Sequence, residues 1–577
     1  MAKQISEWTQ VAALSDVPAG EAKAIRLAEG RSIALFNVDG RIYATDNQCP
    51  HMGYPLTRGA VRNGILTCDW HGRSFDLEGG GCFNYECDDL GTFPVDVRQD
   101  QIWIQIPDPQ YKRRDEHLRL LWQGLLSEDR WTISKAIALL LKGGVPEDEI
   151  VQMALRHLGR HISSSDEAED GGGVSRLING LKVGRRYQDA DRLMVLATAA
   201  RSVAGGAAER LEVVPLPGAV SWDNIDRWTR MFSHDGQAGR IERCLFTAHH
   251  LGHDEKILPL LYECAIEPHF LGFPENLLTL GYLAEIVESF RWEQSSELVF
   301  NLSAKLVGRR RGEPERFRRD AVGLMKSMLP NVEAAAHSGG EYDEDAFTGA
   351  LLSVNIEKSF DAVSTVLKSG VKLDRAITTL VLLAADRMAR TPVNVDAGWG
   401  VLTTELNLAA SLRTAQRHGG DPVAAKGLFH AAWQVFADRW LNIPARRLST
   451  PLGGETLAVP DEDAGLRMIL DSLASLNVQD VGRQVLEYLN TGFSGDRLLH
   501  EMGRAMLWDD TNTKVLPALH TVFDEWERCA GHPARYQLLV GLARYATDIR
   551  ANKDSGSATN TAMRFAEGKT TVEAFEG

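Results

Sequence analysis

Residues 49–72 read CPHMGYPLTRGAVRNGILTCDWHG and contain two short motifs, Cys49-Pro-His51 and Cys68-Asp-Trp-His71. Each motif contributes one potential thiolate ligand and one potential imidazole ligand, and sixteen residues separate the two motifs. Thiolates and imidazoles are ligands that transition metals prefer in proteins. We therefore expect the two motifs to form loops that together hold a metal centre.

Short stretches of alternating apolar and polar residues surround the motifs between Trp8 and about residue 106, with turn-forming residues between them. A period of two is typical of strands that bury one face. Asp39-Gly40 separates two of these stretches and is a hairpin signal. The sequence therefore predicts a small antiparallel β domain, with strands at 32–37 (SIALFN), 41–45 (RIYAT), 64–68 (GILTC), 93–97 (FPVDV) and 102–106 (IWIQI).

The residues that flank the motifs follow the pattern of a known family. They are Gly53, Trp70-His71-Gly72, Phe75-Asp76-Leu77 and Phe93-Pro94-Val95. Over about residues 7–107 the chain resembles the Rieske [2Fe-2S] ferredoxin superfamily. The resemblance implies a Rieske-type [2Fe-2S] cluster, with Cys49 and Cys68 on the buried iron and with His51 and His71 on the outer iron.

Two alternatives bear on this metal centre. The same four ligand types could form a tetrahedral zinc site, although the spacing of the motifs, the strand-rich context and the flanking glycines favour the cluster. Family members from cytochrome complexes have an extra cysteine in each loop, whereas these positions hold Tyr54 and Arg73 here. The resemblance is thus to soluble ferredoxins and oxygenase N-terminal domains. Cys82 and Cys87 are expected to be structural or free thiols.

The composition limits the classes of function. The 577 residues carry a formal net charge of -15, with 44% hydrophobic and 24% charged residues, as in a soluble multidomain protein. Binding to nucleic acid needs a basic face, so we expect none. The start, MAKQISEWTQ, does not resemble a signal peptide, and no apolar stretch is long enough to span a membrane. Seven scattered cysteines favour the reducing cytoplasm.

The second part of the chain has a helical pattern. After a linker at 108–116, Ala/Leu-rich amphipathic stretches predict an all-α domain over residues 117–550. Acidic, glycine-rich segments at 163–173 and 337–345 predict exposed loops, and the polar segment 551–577 predicts a disordered tail. The fold class is therefore multidomain, with a small all-β Rieske-type domain followed by a large all-α domain.

Three segments of the helical part resemble one another. They are 140–151 (LLKGGVPEDEIV), 366–377 (VLKSGVKLDRAI) and 488–499 (YLNTGFSGDRLL). Gly144, Gly370 and Gly492 are each expected to end a helix in the left-handed conformation before the next helix begins. The sequence thus predicts about three related helical units, which would stack because one unit cannot bury its apolar face alone.

The helical part contains candidate ligands for a second metal site. The Asp-x-x-His-x(4)-His motif of ring-hydroxylating oxygenases is not found in the sequence. His249 and His253 are four residues apart, which on a helix places them on one face and makes them candidate ligands. His157 and His161 have the same spacing. Solvated faces and interfaces also contain such pairs, which is the simpler interpretation. Side chains that could complete the first ligand set are Glu255, Glu263 and His269.

These observations predict an oxidoreductase component that transfers single electrons. It would accept electrons from a reductase and pass them to an oxidase or oxygenase reaction, either in the fused helical domain with a small organic substrate or in a bound oxygenase partner. Two alternatives remain for the helical domain, a non-catalytic docking scaffold and a redox-sensing regulatory module. Whether the chain is itself an enzyme, and on which substrate it acts, stays open.

Overall fold

The computed structural model describes residues 8–27, 32–84, 87–105, 113–161, 172–206, 209–210, 212–309, 316–333, 339–391, 399–441, 447–450, 453–475, 477–509, 515–548, 562–563 and 566–567. The chain divides into two compact units, one formed by Met1–Ile150 with Gly556–Gly577 and the other by Val151–Ser555. Most of the linker, of the first loop and of the tail that the sequence predicted at 108–116, 163–173 and 551–577 lies outside the described residues.

The described part of the first unit begins with short strands. They are β1 (Trp8–Ala13), β2 (Ala22–Arg26), β3 (Ser32–Val38), β4 (Arg41–Asp46), β5 (Ala60–Arg62), β6 (Ile65–Thr67), β7 (Ser74–Asp76), β8 (Thr92–Phe93), β9 (Val95–Arg98) and β10 (Gln101–Gln105). They form three antiparallel sheets with the orders β1-β10-β9, β2-β3-β4-β8 and β5-β6-β7. The antiparallel β domain predicted from the alternating pattern is confirmed.

Turn residues explain where two of the strands end. Asp39 and Gly40 have positive φ angles of 53° and 87°, which fits a tight hairpin between β3 and β4. The single strand predicted at 93–97 is wrong, because Pro94 divides it into β8, which pairs with β4, and β9, which pairs with β10. Proline has no N–H group to donate to a sheet. It therefore marks the point where the chain changes sheets.

Both faces of β3 are buried. Ile33 and Leu35 lie in one apolar core, whereas Ala34 and Phe36 lie in another. Successive side chains of a strand point to opposite faces, so one strand can supply two cores. The second core also contains both motif cysteines, together with Leu56, Leu66, Phe75, Leu77 and Leu90. The apolar run at 32–37 thus places a rigid strand beneath the two loops.

The described elements beyond residue 112 are helical, as predicted. They include α1 (Arg113–Ser127), α2 (Arg130–Lys142), α3 (Glu147–His161), α4 (Gly172–Gly184), α5 (Asp189–Arg201), α6 (Trp222–His234), α7 (Ala238–His250), α8 (Asp254–Ala265), α9 (Pro274–Val307), α10 (Arg316–Glu333), α11 (Glu344–Leu351), α12 (Ile356–Lys368), α13 (Leu373–Arg390), α14 (Trp399–Ala437), α15 (Glu462–Ala474), α16 (Val478–Asn490), α17 (Gly495–Asp509), α18 (Val515–Arg528) and α19 (Gln537–Asp548). The first compact unit extends to Ile150. It therefore includes α1 and α2 as well as the β domain.

The three similar segments each contain a helix, a turn and a second helix. The turns join α2 to α3, α12 to α13 and α16 to α17. Gly144, Gly370 and Gly492 have φ angles of 73°, 73° and 88°, as expected of residues that end helices. The local geometry therefore agrees with the sequence at each turn. That the segments are copies of one unit stays a prediction.

Two long helices are interrupted. Arg291 breaks α9 with a φ angle of 57°, and Gly420 breaks α14 with a φ angle of 82°. The second break precedes Pro422, which cannot donate a helical hydrogen bond. In the described part of the chain, no helix combines the length and apolar character needed to cross a membrane.

Candidate functional site

The first motif lies in a loop between β4 and a short 3-10 helix at Leu56–Arg58. The Cys49 N–H donates to the Tyr54 carbonyl oxygen at 2.9 Å, and the Gly53 N–H donates to the Cys49 carbonyl oxygen at 2.7 Å. These two bonds close the loop on itself. They hold His51 in the middle of a compact turn.

The second motif, between β6 and β7, repeats this pattern of hydrogen bonds. The Cys68 N–H donates to Arg73 O at 2.8 Å, and the Gly72 N–H donates to Cys68 O at 3.0 Å. The fifth residue of each loop, Gly53 or Gly72, has a positive φ angle, 79° or 68°. A side chain there would strain the turn. The two loops therefore have the same local structure, and glycine is needed at the same place in each.

The loops bring the four predicted ligands together as two pairs. Cys49 and Cys68 are each 1% exposed and lie in the same core. His51 is half-buried and His71 is exposed, and the centroids of their rings are 4.8 Å apart. A buried thiol pair beside a more exposed imidazole pair matches the arrangement that the family resemblance implied.

The two thiols interact with each other. A hydrogen bond with Cys68 lowers the pKa of the Cys49 thiol, but a hydrogen bond with Cys87 and burial outweigh it and raise the pKa to about 11. The hydrogen bond with Cys49, followed by burial, raises the pKa of Cys68. Metal binding releases the protons of its ligands. Both thiols therefore need a nearby cation to become thiolates at neutral pH.

The state of His51 also suits a metal ligand. Burial lowers the pKa of its imidazole to about 4, so the ring is neutral at neutral pH. Its Nδ1 atom is buried and has no hydrogen-bond partner among the described residues. Buried polar atoms normally have a partner. The free nitrogen, the neutral ring and the adjacent thiol pair together fit the ligand set of a [2Fe-2S] cluster.

Aromatic and sulfur-containing side chains surround the four ligands. Trp70 is partly exposed, and its ring lies 4.1 Å from that of His71 and 5.7 Å from that of Tyr54, measured between centroids. Cys82 and Cys87, which the sequence identified as structural or free thiols, pack against the core that contains Cys49 and Cys68. All seven cysteines are free thiols in the structure.

Helix α2 contacts the first loop through two side chains that the sequence analysis did not identify. The Trp131 indole donates to the His51 carbonyl oxygen at 2.9 Å, and the Lys135 ammonium donates to the Pro50 carbonyl oxygen at 2.9 Å. Their spacing of four residues puts both on one face of the helix. That spacing was visible in the sequence, but nothing in it indicated what the face would contact.

The prediction that His249 and His253 share one helix face is wrong. Helix α7 ends at His250, and Gly252 has a φ angle of 76°, so His253 lies outside the helix that contains His249. His249 Nδ1 lies 2.7 Å from Asp254 Oδ1, whereas the ring of His253 packs against Trp222. Glu263, another suggested ligand, pairs with Arg230.

The second histidine pair lies at the end of α3. The His157 and His161 rings are 4.7 Å apart, and His157 Nε2 lies 2.8 Å from the Gly205 carbonyl oxygen. Burial lowers the pKa of His157. Outside the two motif loops, the described residues include no group of three or more His, Cys, Asp or Glu side chains that is arranged to hold a metal ion. A second metal site stays a prediction without support from this geometry.

The second unit contains a polar cavity of about 140 Å³ among α4, α9, α14 and α18. His520, which lines it, has a buried Nδ1 atom with no hydrogen-bond partner among the described residues, and burial lowers its pKa. The charged residues that line the cavity are Lys182, Arg413, Arg417, Arg528, Glu285, Glu288, Asp524 and Glu525. No sequence motif marked this site, because its residues come from four separate helices.

Comparisons with known proteins concern the β domain. The family model described as "Rieske [2Fe-2S] domain" matches residues 7–94. The ferredoxin component of the naphthalene 1,2-dioxygenase/salicylate 5-hydroxylase systems of Ralstonia sp is 30% identical over 100 residues, which are 17% of this chain and 95% of that protein. The 3-phenylpropionate/cinnamic acid dioxygenase ferredoxin subunit of Escherichia coli (strain K12) is 35% identical over 99 residues, 17% of this chain and 92% of that protein.

A solved structure is also similar. The Sphingomonas yanoikuyae B1 ferredoxin has 31% sequence identity and aligns with 18% of this chain and 100% of its own, with a TM-score of 0.17. The match of two curated ferredoxins over nearly their whole length favours the cluster over the alternative of zinc. A Rieske domain implies a [2Fe-2S] cluster as its cofactor. Through its N-terminal domain, the chain belongs to the Rieske [2Fe-2S] family.

Proposed function

We propose that this protein is an electron-transfer oxidoreductase component. It accepts single electrons from a reductase and delivers them to an oxidase or oxygenase reaction, in its own helical unit or in a bound oxygenase partner. The observation that carries the proposal is the buried cysteine pair beside the more exposed histidine pair. The relatives named as ferredoxin components of dioxygenase systems support it.

Each ligand residue has a distinct role in this proposal. Cys49 and Cys68 would hold one iron of the cluster, and His51 and His71 would hold the other. When bound, the cluster supplies one-electron transfer. The exposed His71 provides the point of contact for redox partners, whereas burial of the cysteines excludes water from the sulfur ligands. The seven cysteines scattered along the sequence support a reducing compartment, which we propose is the cytoplasm.

We propose that the helical unit binds the organic substrate of the reaction in the cavity among α4, α9, α14 and α18. The buried Nδ1 atom of His520 has no hydrogen-bond partner among the described residues, its Nε2 atom lies 3.6 Å from Asp524 Oδ2, and burial lowers the pKa of the ring, which supports a role in binding or proton transfer. Perturbed titratable groups in a pocket are typical of functional sites. A docking scaffold or a redox sensor would not need this cavity.

Metal analysis and EPR test the electron-transfer proposal. Equal amounts of iron and acid-labile sulfide, with a Rieske-type signal after dithionite reduction, are expected. Zinc without sulfide would contradict it. Iron beyond the cluster that is lost on His249→Asn substitution would instead establish a second metal site.

Oxygen consumption tests the role of the helical unit. The reduced protein should consume oxygen faster when a protein-free metabolite extract is added. Ala410 lines the cavity, so Ala410→Trp should fill the space and remove this stimulation while the EPR signal stays intact. If the extract has no effect on the parent protein, the scaffold and sensor alternatives are favoured instead.

A further inference from the structure

Helix α2 is tied to the first ligand loop by a buried charge. The Lys135 side chain is 3% exposed, and its ammonium donates to Pro50 O and to Asp88 Oδ2, both at 2.9 Å. Asp88 is 37% exposed. The cation is therefore buried beside the loop, whereas the carboxylate that neutralises it faces solvent in part.

A buried ammonium group destabilises the folded protein unless hydrogen bonds and an opposite charge compensate for the loss of water. Moving an ammonium group out of water is unfavourable, and the ion pair with Asp88 and the hydrogen bond to Pro50 O offset part of this penalty. Water screens the partly exposed Asp88 more strongly than it screens the buried Lys135. The field of the pair at the loop is therefore dominated by the positive charge.

A second contact holds the same loop in place. The Trp131 indole N–H donates to the carbonyl oxygen of His51, the residue between Pro50 and Met52. Asp129 caps the helix start by accepting from the Trp131 N–H at 3.1 Å. The cap and the two side chains therefore act together, because they orient one helix face toward two successive carbonyl groups of the loop.

We propose that Lys135 is a positioning residue that raises the reduction potential of the cluster. Trp131 supports this role because its hydrogen bond fixes the main chain at His51 beside Lys135. Reduction adds one electron, supplied by a reductase or by dithionite, and makes the centre one unit more negative. A fixed positive charge in a low-dielectric region stabilises the more negative state. The inference rests on the proposed ligand set, but it is independent of the electron acceptor.

The sign of the effect separates an electrostatic role from a structural one. Lys135→Met should lower the potential, because it removes the cation and leaves Asp88. Asp88→Asn should raise it, because it removes the anion and leaves Lys135. The double variant should return toward the parent value. Simple loosening of the loop would instead shift both single variants in the same direction.

Potentiometric titration followed by EPR is the measurement, on the full-length protein with its iron and sulfide content determined first. For Lys135→Met we expect the ratio of reduced to oxidised cluster at a fixed potential to fall about tenfold, or about 59 mV for a one-electron couple. Lys135→Arg keeps the positive charge and should therefore have the same potential as the parent protein. Lys23→Met removes a partly exposed lysine that pairs with Asp16, and it is the matched control, for which no effect on the potential is expected.

Hydrogen exchange provides the second readout. Trp131→Phe keeps the aromatic packing but loses the hydrogen bond to His51 O, so the Gly53 amide should exchange faster.

Parent-like potentials for Lys135→Met and Asp88→Asn at full cluster content would overturn the role of Lys135. Loss of iron and sulfide from Lys135→Met, with a parent-like potential for Asp88→Asn, would also overturn it. Absence of a cluster from the parent protein would instead overturn the proposed function.

Discussion

The Trp70 indole lies against the His71 imidazole, with ring centroids 4.1 Å apart and planes tilted by 34°. Because Trp70 is 37% exposed, it presents an aromatic surface beside an exposed ligand. Trp70→Ala should slow reduction by a flavoprotein reductase severalfold, while reduction by dithionite, which needs no docking surface, should be unchanged. Stopped-flow absorbance measures both rates. Trp70→Phe, the matched control, should keep most of the reductase rate, and equal slowing with both reductants would contradict a docking role.

Removal of a ligand should prevent cluster assembly. In the proposed ligand set, Cys49→Ser and His71→Asn each remove one protein ligand of an iron, so iron and sulfide should fall to a small fraction of the parent content. Colorimetric iron and sulfide assays on the purified proteins test this. His234→Asn changes an exposed histidine at the end of α6 and should have no effect. Full cluster content in His71→Asn would exclude His71 as a ligand.

The ion pair between Arg413 and Glu525 is expected to stabilise the helical unit. Arg413 donates two hydrogen bonds of 2.8 Å to the carboxylate, which is 3% exposed. Arg413→Met leaves a buried, unpaired charge and should cost about 3–5 kcal/mol of unfolding free energy. Urea denaturation followed by circular dichroism measures it.

The control for this prediction is an exposed arginine. Arg497→Met disrupts pairs with Glu462 and Asp463 and should cost at most about 1 kcal/mol. The double variant Arg413→Met, Glu525→Gln should recover part of the lost stability, because no buried unpaired charge is left; Asp374, the other partner of Arg413, is exposed. Equal losses in the two arginine variants would contradict the importance of burial.

His430 should contribute to acid unfolding of the helical unit. Burial lowers its pKa to about 4, below the ordinary value of 6.5. The unfolded chain therefore binds an extra proton between these values, and stability falls as the pH decreases through this range, by up to about 1.4 kcal/mol per pH unit. Unfolding free energies from pH 7 to 4.5 should show a shallower decline for His430→Gln.

The matched variant for this comparison is His250→Gln, since His250 is exposed at the end of α7. It should keep the parent slope. His157 and His520 also have lowered pKa values and will contribute to the parent slope, so the test is the difference between the two variants. Equal slopes in both variants would contradict the role assigned to His430.

The turn between α12 and α13 should depend on its glycine. Gly370 has a φ angle of 73°, and alanine in this conformation costs roughly 1–2 kcal/mol. Gly370→Ala should therefore lower the unfolding free energy by about that amount. Gly349→Ala, within α11 and with open space around it, should be neutral or stabilising. Thermal unfolding compares the two, and the same sign in both would contradict the prediction.

The sequence predicted the β domain well because its signals are local. An apolar run defines β3, alternation defines β10, Asp39-Gly40 defines the turn between β3 and β4, and the ligand spacing defines the two loops. The contacts of Lys135 and Trp131 were missed for the opposite reason. An amphipathic helix pattern shows that one face is buried but not which surface covers it, so a contact 85 residues away in sequence was invisible.

The histidine pair at 249 and 253 shows a second limit. Spacing of four residues implies a shared face only within one helix, and Gly252 ends that helix between the two residues. The glycine was a visible helix-stop signal and should have outweighed the spacing. The cavity around His520 was unpredictable in a different way, because its residues come from distant helices and have no common pattern.

The unequal exposure of the two ligand loops has a kinetic consequence. Residues 69–72 are exposed, whereas α2 contacts the carbonyl groups of the first loop. If the proposed reductase and a separate acceptor protein both dock on the exposed loop, they must occupy it in turn, so no ternary complex forms and the steady-state kinetics follow a ping-pong scheme. Excess reductase then competes with the acceptor and slows turnover. Turnover is therefore fastest when the concentrations of reductase and acceptor are balanced, rather than when either one is as high as possible.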